Sequence, residues 1–243
     1  MSPPVFLAEG SRLESDRILL DGPEGRHAAA VRRLREGERV DLTDGAGLLV
    51  ECVVTSAGRD SLELAATARR REAPAEPRIA VVQALPKGDR GELAVETMTE
   101  VGVDVIVPWA AARCVTQWRP ERRAKALGRW RGTAREAAKQ ARRSWLPEVT
   151  DLVTTAQAAE RVGGAALAVV LHEEAEQPLS ALDIPATGEI VLVVGPEGGL
   201  TGEELDEFAA AGGIPGLLGP TVLRTSTAGV AAASVLLSRT GRW

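Results

Sequence analysis

The chain has 243 residues, 44% hydrophobic and 26% charged, which is ordinary globular composition and enough length for one large domain or two smaller ones. Cys52 and Cys114 lie far apart with no CxxC pair, and His27 and His172 are isolated. That argues against a zinc site or a disulfide framework, so no metal is expected. No apolar run approaches the about 18 residues of a membrane span, and the N-terminus lacks a signal-peptide pattern; a soluble, cytoplasmic protein is expected.

The net charge of −5 hides an asymmetry. Arg113 to Arg143 holds eleven Lys or Arg against two acids, whereas Asp151 to Pro220 holds twelve acids and one base. One region alone is suited to a polyanion.

Residues 1–70 read as short strands. "RILLDG", "ERVDLTDGAGLLVECVVTSAG" and "SLELAAT" are apolar or alternating, and Asp44-Gly45 is a hairpin signal. A short helix is expected over Pro23–Arg35. Together these suggest a small β-barrel-like module. Residues 66–77, "ATARRREAPAEP", have linker composition. The division is 1–70, a linker at 71–77, and a second domain over 78–243.

From Arg78 onward, "IAVVQAL", "VDVIVPW", "ALAVVLH", "EIVLVVG" and "GIPGLLG" alternate with helical segments. Continuous apolar strands of this kind belong in a parallel sheet covered on both faces, hence an α/β domain. Over 121–143 a helix would put Leu127, Trp130, Ala134, Ala137 and Ala141 on one face. Arg131, Arg135, Lys139 and Arg142 would fall on another, a stripe suited to phosphates. Thr201-Gly-Glu-Glu204 is a capping box, and Thr225 is placed to cap the last helix. That helix, "TAGVAAASVLLSR", is small or apolar almost all round and wants burial in the core or at a subunit interface.

Three segments at strand ends carry chemistry. The first is Gly195-Pro-Glu-Gly-Gly199. It is neither GxGxxG nor a P-loop, since Pro196 removes a donor and no Lys-Ser/Thr follows. Its glycines allow close approach to the backbone. Glu197 already supplies the anion that a helix N-terminus favours, so a neutral or cationic ligand with hydroxyls fits better than a phosphate. The second is the long loop Leu217–Ala228, where Arg224 is the only charge. The third is Leu171-His-Glu173. In open α/β sheets, ligands bind at the carboxyl ends of strands, and the three segments converge there.

"VVGPEGGLTGEEL" followed by "LLGPTVLRTSTA" resembles the RsmE family, the 16S ribosomal RNA uracil-N3 methyltransferases of the SPOUT superfamily. "HAAAVRRLREGERVDLTDGAG" is similar to that family's PUA-like RNA-binding barrel. "TEVGVDVIVPWAAARCV" and "EAAKQARRSWLPEV" resemble two further family stretches in the same order. Thr97 stands where the family often has Lys, and Ser226 where it often has Glu. A role belonging to those residues does not carry over.

The resemblance implies a SPOUT-type α/β domain with a C-terminal deep trefoil knot after a PUA-like barrel. It implies a homodimer and S-adenosyl-L-methionine as cofactor. The cofactor residues it implies are Leu171, His172, Gly195, Pro196, Glu197, Gly198, Gly199, Leu218, Gly219, Leu223, Arg224 and Thr225. The implied reaction is methylation of uridine 1498 of 16S rRNA at N3, on naked RNA or on the small ribosomal subunit. Arg224 is the candidate for stabilising the developing imidate, with Arg113 and Arg143 as alternatives. Glu197 is a candidate proton acceptor or ligand-shaping group. RNA is expected along the basic stripe of 119–143, with Arg113, Arg131, Arg135, Lys139 and Arg143, and on Arg26, Arg32, Arg33 and Arg35 of the first module. Competing readings are a ribose 2′-O-methyltransferase and a non-catalytic ribosome-assembly factor.

Overall fold

In the computed structural model, which describes residues 2–243, the chain divides into two units. One is Met1–Pro74 with Ala138–Leu146, and the other is Ala75–Ala137 with Pro147–Trp243.

In the first unit the elements are β1 (Val5–Leu7), α1 (Gly10–Leu13), β2 (Arg17–Leu20), α2 (Gly22–Arg26), β3 (Arg39–Thr43), β4 (Leu48–Ala57) and β5 (Leu62–Arg71). They form a mixed half-barrel sheet in the order β1-β3-β4-β5-β2, with β1 parallel to β3 and the other pairs antiparallel. Period-two patterning turns Val40, Leu42, Val50, Cys52, Val54, Leu62 and Leu64 inward onto Phe6, Leu13 and Ile18. At the β3–β4 turn, Asp44 Oδ1 accepts from the amides of Ala46 (2.7 Å) and Leu48 (3.0 Å). Gly45 and Gly47 there have φ of +74° and +96°, which only glycine adopts freely.

The helix expected over Pro23–Arg35 is shorter. It is α-helical to Arg26, continues as one π-turn over His27–Val31, and has ended by Arg33, at φ +56°. Likewise β5 continues to Arg71, so 66–71 of the linker-like stretch is strand. Sequence order puts 138–146 in the second domain, but the segment packs in the first unit. Thr43 Oγ1 and Gly47 N–H both donate to the Ser144 carbonyl (3.1 and 3.0 Å), and Leu146 N–H donates to Gly45 (2.9 Å). Ser144 also hydrogen-bonds Glu72.

The second unit contains β6 (Arg78–Ala84), α3 (Arg90–Val101), β7 (Val105–Trp109), α4 (Pro120–Gln140, its last residues counting with the first unit), β8 (Glu148–Val149), α5 (Thr155–Gly163), β9 (Leu167–Leu171), β10 (Glu189–Val194), α6 (Gly202–Ala210), β11 (Ile214–Gly216) and α7 (Thr225–Arg239). The sheet runs β11-β9-β10-β6-β7-β8 and is parallel throughout. Its central strands are buried from their second residue onward, as unbroken apolar runs require. α3 packs on α7, and α5 on α6. Gly229 lies at the α7 contact, where an added Cβ would stand 2.8 Å from Met98 Sδ.

Candidate active site

Because the sheet is parallel, the carboxyl ends of β9, β10 and β11 open on the same edge. A cavity of about 630 Å³ lies there, within the usual range for a small-molecule site. Its wall comes from 171–174 after β9, 194–200 after β10, 216–225 after β11, and Arg113. Every residue named above for the adenosine lines it.

The glycine turn is held from three directions. Inside it, Gly199 N–H closes onto the Pro196 carbonyl at 2.9 Å with φ +71° at Gly199. From the β7–α4 loop, Arg113 Nη1 donates to the carbonyls of Gly198 (3.1 Å) and Leu200 (3.2 Å). A Cβ at Gly198 would press on Arg113 Cβ at 3.0 Å, and one at Gly195 on Leu200 Cδ2 at 3.1 Å. From the β6–α3 loop, Lys87 N–H donates to Glu197 Oε1 at 3.1 Å.

The helix after the turn is locked as its sequence predicts. Thr201 and Glu204 form a reciprocal capping box. Glu204 is 4% exposed, and its second oxygen accepts from Ala112 N–H at 2.8 Å. One carboxylate therefore caps α6 and ties the β7–α4 loop to it. Nearby, burial pushes the Cys114 thiol up, opposed by hydrogen bonds with the Ala111 and Leu85 backbone and reinforced by Glu197 and Glu204, which favours the protonated form.

The last loop ends one residue earlier than the cap reading placed it. The N-cap position of α7 is Arg224, and Thr225 is the first helical residue. Thr225 and Ser226 are buried because their turn packs onto the sheet. Gln83 anchors that turn: its Nε2 donates to the carbonyls of Ala84 (3.0 Å) and Thr225 (3.2 Å). Gln83 is fully buried, and its Oε1 has no partner among the described residues. Sequence reasoning passed over it, although it is the one polar residue in "IAVVQAL". Arg224 is exposed, and among the described residues its guanidinium makes no hydrogen bond or ion pair. Val222 and Leu223 beside it are exposed apolar side chains. On the β9 side, His172 Nδ1 accepts from Glu174 N–H at 3.2 Å, so the ring orients its own loop.

The basic residues separate into distinct environments. Lys139, expected on the RNA-facing stripe, is only 7% exposed. Its ammonium pairs with Glu24 at 3.0 Å and lies 5.9 Å from the Phe6 ring, so this cation belongs to the interior of the first unit. Ala141, expected on the apolar face, is exposed, because α4 stops at Gln140 and Arg142 turns out at φ +56°. Arg131 donates to the Val149 carbonyl (3.0 Å) and to Asp151 (3.0 Å). Arg135 and Arg143 also have partners. Arg26 lies 3.7 Å from Asp60, while Arg32 and Arg33 are exposed. Thr97, where the family often has Lys, bonds back to Leu93 and Ala94 within α3.

No group of three or more His, Cys, Asp or Glu among the described residues could hold a metal, and no helix is long and apolar enough to cross a membrane. The lining suits a nucleoside carrying positive charge. The turn offers backbone and no side-chain cradle for phosphate, Glu173, Glu174 and Glu197 line the wall, and Arg113 is already bound to carbonyls.

A family model described as RNA methyltransferase domain matches residues 73–237, and one described as RNA methyltransferase PUA domain matches residues 20–66. The chain is 46% identical over 230 residues to the ribosomal RNA small subunit methyltransferase E of Mycobacterium bovis, covering 93% of this chain and 87% of that protein. It is 31% identical over 237 residues to the Bacillus subtilis enzyme of the same name, covering 93% and 92%. The crystal structure of a ribosomal RNA small subunit methyltransferase E from Neisseria gonorrhoeae bound to S-adenosyl methionine superposes with a TM-score of 0.87 at 26% identity, covering 98% of each chain. With both domains matched in order and sequence likeness running nearly end to end, the chain belongs to the ribosomal RNA small subunit methyltransferase E family.

Proposed function

We propose that the protein methylates N3 of uridine 1498 in 16S rRNA, using S-adenosyl-L-methionine and working as a homodimer. The observation that carries this reading is the cavity at three strand ends, walled by backbone at Gly195–Gly199 and edged by the guanidinium of Arg224, which is unpaired among the described residues. The knotted C-terminus implied by the family belongs to the same reading.

When bound, the cofactor supplies a methyl group already activated on a sulfonium, so the protein needs to position and to manage one proton. The main chain of Leu171, His172, Gly195 to Gly199, Leu218 and Gly219 would hold the adenosine. Arg113 and Glu204 keep that main chain in place. Arg224, at the N-terminus of α7, would donate to a uracil carbonyl and stabilise negative charge as N3 loses its proton. Holding N3 in line supplies much of the rate advantage. Ser226 leaves no carboxylate in the last loop, and Glu197 keeps Oε2 available for the N3 proton while Lys87 N–H holds Oε1.

Nucleoside mass spectrometry of 16S rRNA from a strain lacking the gene tests the reaction. Loss of 3-methyluridine, restored by the purified protein, is the expected result. Unchanged 3-methyluridine, or loss of a ribose-methylated nucleoside instead, would replace this reading. Arg224→Ala should lower turnover at least about 100-fold; full turnover with normal cofactor affinity would remove Arg224 from the mechanism.

A further inference from the structure

The basic residues of α4 are not equivalent. Towards its C-terminal end, Arg131 and Lys139 are held in ion pairs, and Arg135 has its own partner. In the middle, Arg129 pairs with Glu92 at 3.2 Å. At its start the situation reverses. Arg119, Arg122, Arg123 and Lys125 are all exposed, and among the described residues their side chains make no hydrogen bond or ion pair.

That start is electrostatically the wrong end of a helix for cations. The first turn exposes backbone N–H groups and the positive pole of the helix dipole, which favour Asp and Glu. Here only Glu121 follows that rule. A merely solvated face would gain by reversing the arrangement, so four unpaired cations at this position are a local conflict of the kind found at functional surfaces.

The site is also within reach of the cavity. Arg113 lines the cavity, and Arg119 stands six positions further along the chain. A chain of that length spans at most ~20 Å, or about six stacked nucleotides of one strand at ~3.4 Å each. The segment is anchored at both ends. Arg113 is bound to the glycine turn, and Trp118 packs edge-on against Trp130 with ring centroids 5.1 Å apart.

From this we infer that the start of α4, through Arg119, Arg122, Arg123 and Lys125, is the phosphate grip for the RNA strand that carries the target base, and that the paired cations further along the helix are not. The inference rests on the proposed rRNA substrate. It narrows the RNA contact from a whole helix to about one turn and a half.

The test uses the full-length protein with two ligands in parallel, a 16S rRNA fragment containing the target uridine and the small ribosomal subunit. The quadruple variant R119Q/R122Q/R123Q/K125Q is compared with wild type and with R129Q/R131Q. Four lost phosphate contacts should make the slope of log affinity against log salt shallower by about 3 and weaken low-salt binding on the order of 10–100-fold. The paired-cation variant should change that slope by less than about 1. Affinity for S-adenosyl-methionine, measured by calorimetry, should be unchanged in the quadruple variant, which shows that the fold and the cavity are intact.

An unchanged slope in the quadruple variant, with wild type binding and methylating normally, overturns the inference alone. So does an equal loss in R129Q/R131Q. A cluster that binds anionic phospholipid vesicles while its removal leaves RNA affinity untouched would assign it to a membrane surface instead. Wild type with no affinity for either the rRNA fragment or the small ribosomal subunit would remove the proposed function together with this inference.

Discussion

Lys139 shows how far surroundings can reassign a residue. Its sequence neighbours make it one of many cations, yet its ammonium is buried against Glu24 and the Phe6 ring. Removing one partner of such a pair strands the other, at a cost of about 3–5 kcal/mol. Lys139→Ala should therefore lower stability by about 3 kcal/mol in urea unfolding. Arg113 has a structural partner too, since its Nη1 is tied to the glycine turn. Arg113→Ala should weaken S-adenosyl-methionine binding about tenfold by calorimetry, since two charge-assisted hydrogen bonds to the turn are lost. Asp41 gives a pH signature. Burial, then Glu51, raises its carboxyl above the usual range, and its Oδ1 is buried without a partner among the described residues. A raised folded-state value means a contribution present in acid and lost as pH climbs through that value. Asp41→Asn should raise the thermal midpoint at neutral pH and leave it unchanged near about pH 3. Cys52, pushed up to about 12 chiefly by burial and then by Asp41, should resist thiol reagents until the first unit unfolds. The partners of Lys139 and Arg113 are far away in sequence, and periodicity reports only which face a residue is on.

Elements were far more legible than side-chain partners. The five apolar runs from Ile79 onward each contain a strand of the parallel sheet, because continuous burial leaves a local compositional mark. The Thr201–Glu204 box caps α6 as its spacing requires. What the motif could not reveal is that Glu204 also accepts from Ala112 N–H across 92 residues. Glu204→Ala should cost about 1–3 kcal/mol, more than an exposed cap, measured by chemical denaturation. Boundaries were less legible. The N-cap of α7 fell one residue before Thr225, and the helix after Asp21 broke into a π-turn that composition does not announce. The two-residue β8 was too short to leave a pattern. The three loops of the cavity were legible together because a parallel sheet brings all its strand ends to one edge.

At the level of the molecule, the first unit is discontinuous. Its hairpin turn is completed by Ser144, Trp145 and Leu146, and its partly buried carboxylate Glu24 by Lys139. A fragment of residues 2–74 should therefore be poorly folded by near-ultraviolet circular dichroism and amide exchange, and a covalently appended 138–146 segment should restore much of the signal. A stable, fully dispersed 2–74 fragment would mean that the later segment only decorates a finished sheet.

That discontinuity also sets an order in time. During synthesis the chain emerges N-terminus first, at roughly 5–20 residues per second. The half-barrel has all its strands once Arg71 is out, but its closing piece is still seventy-odd residues away. For several seconds at that rate, the emerging chain carries Glu24 without its ammonium and a hairpin tip without its carbonyl acceptor. Completion of the N-terminal unit therefore waits on translation of all of α4 and the residues up to Leu146, so a pause or break in that later stretch would be felt by a unit whose strands are already made.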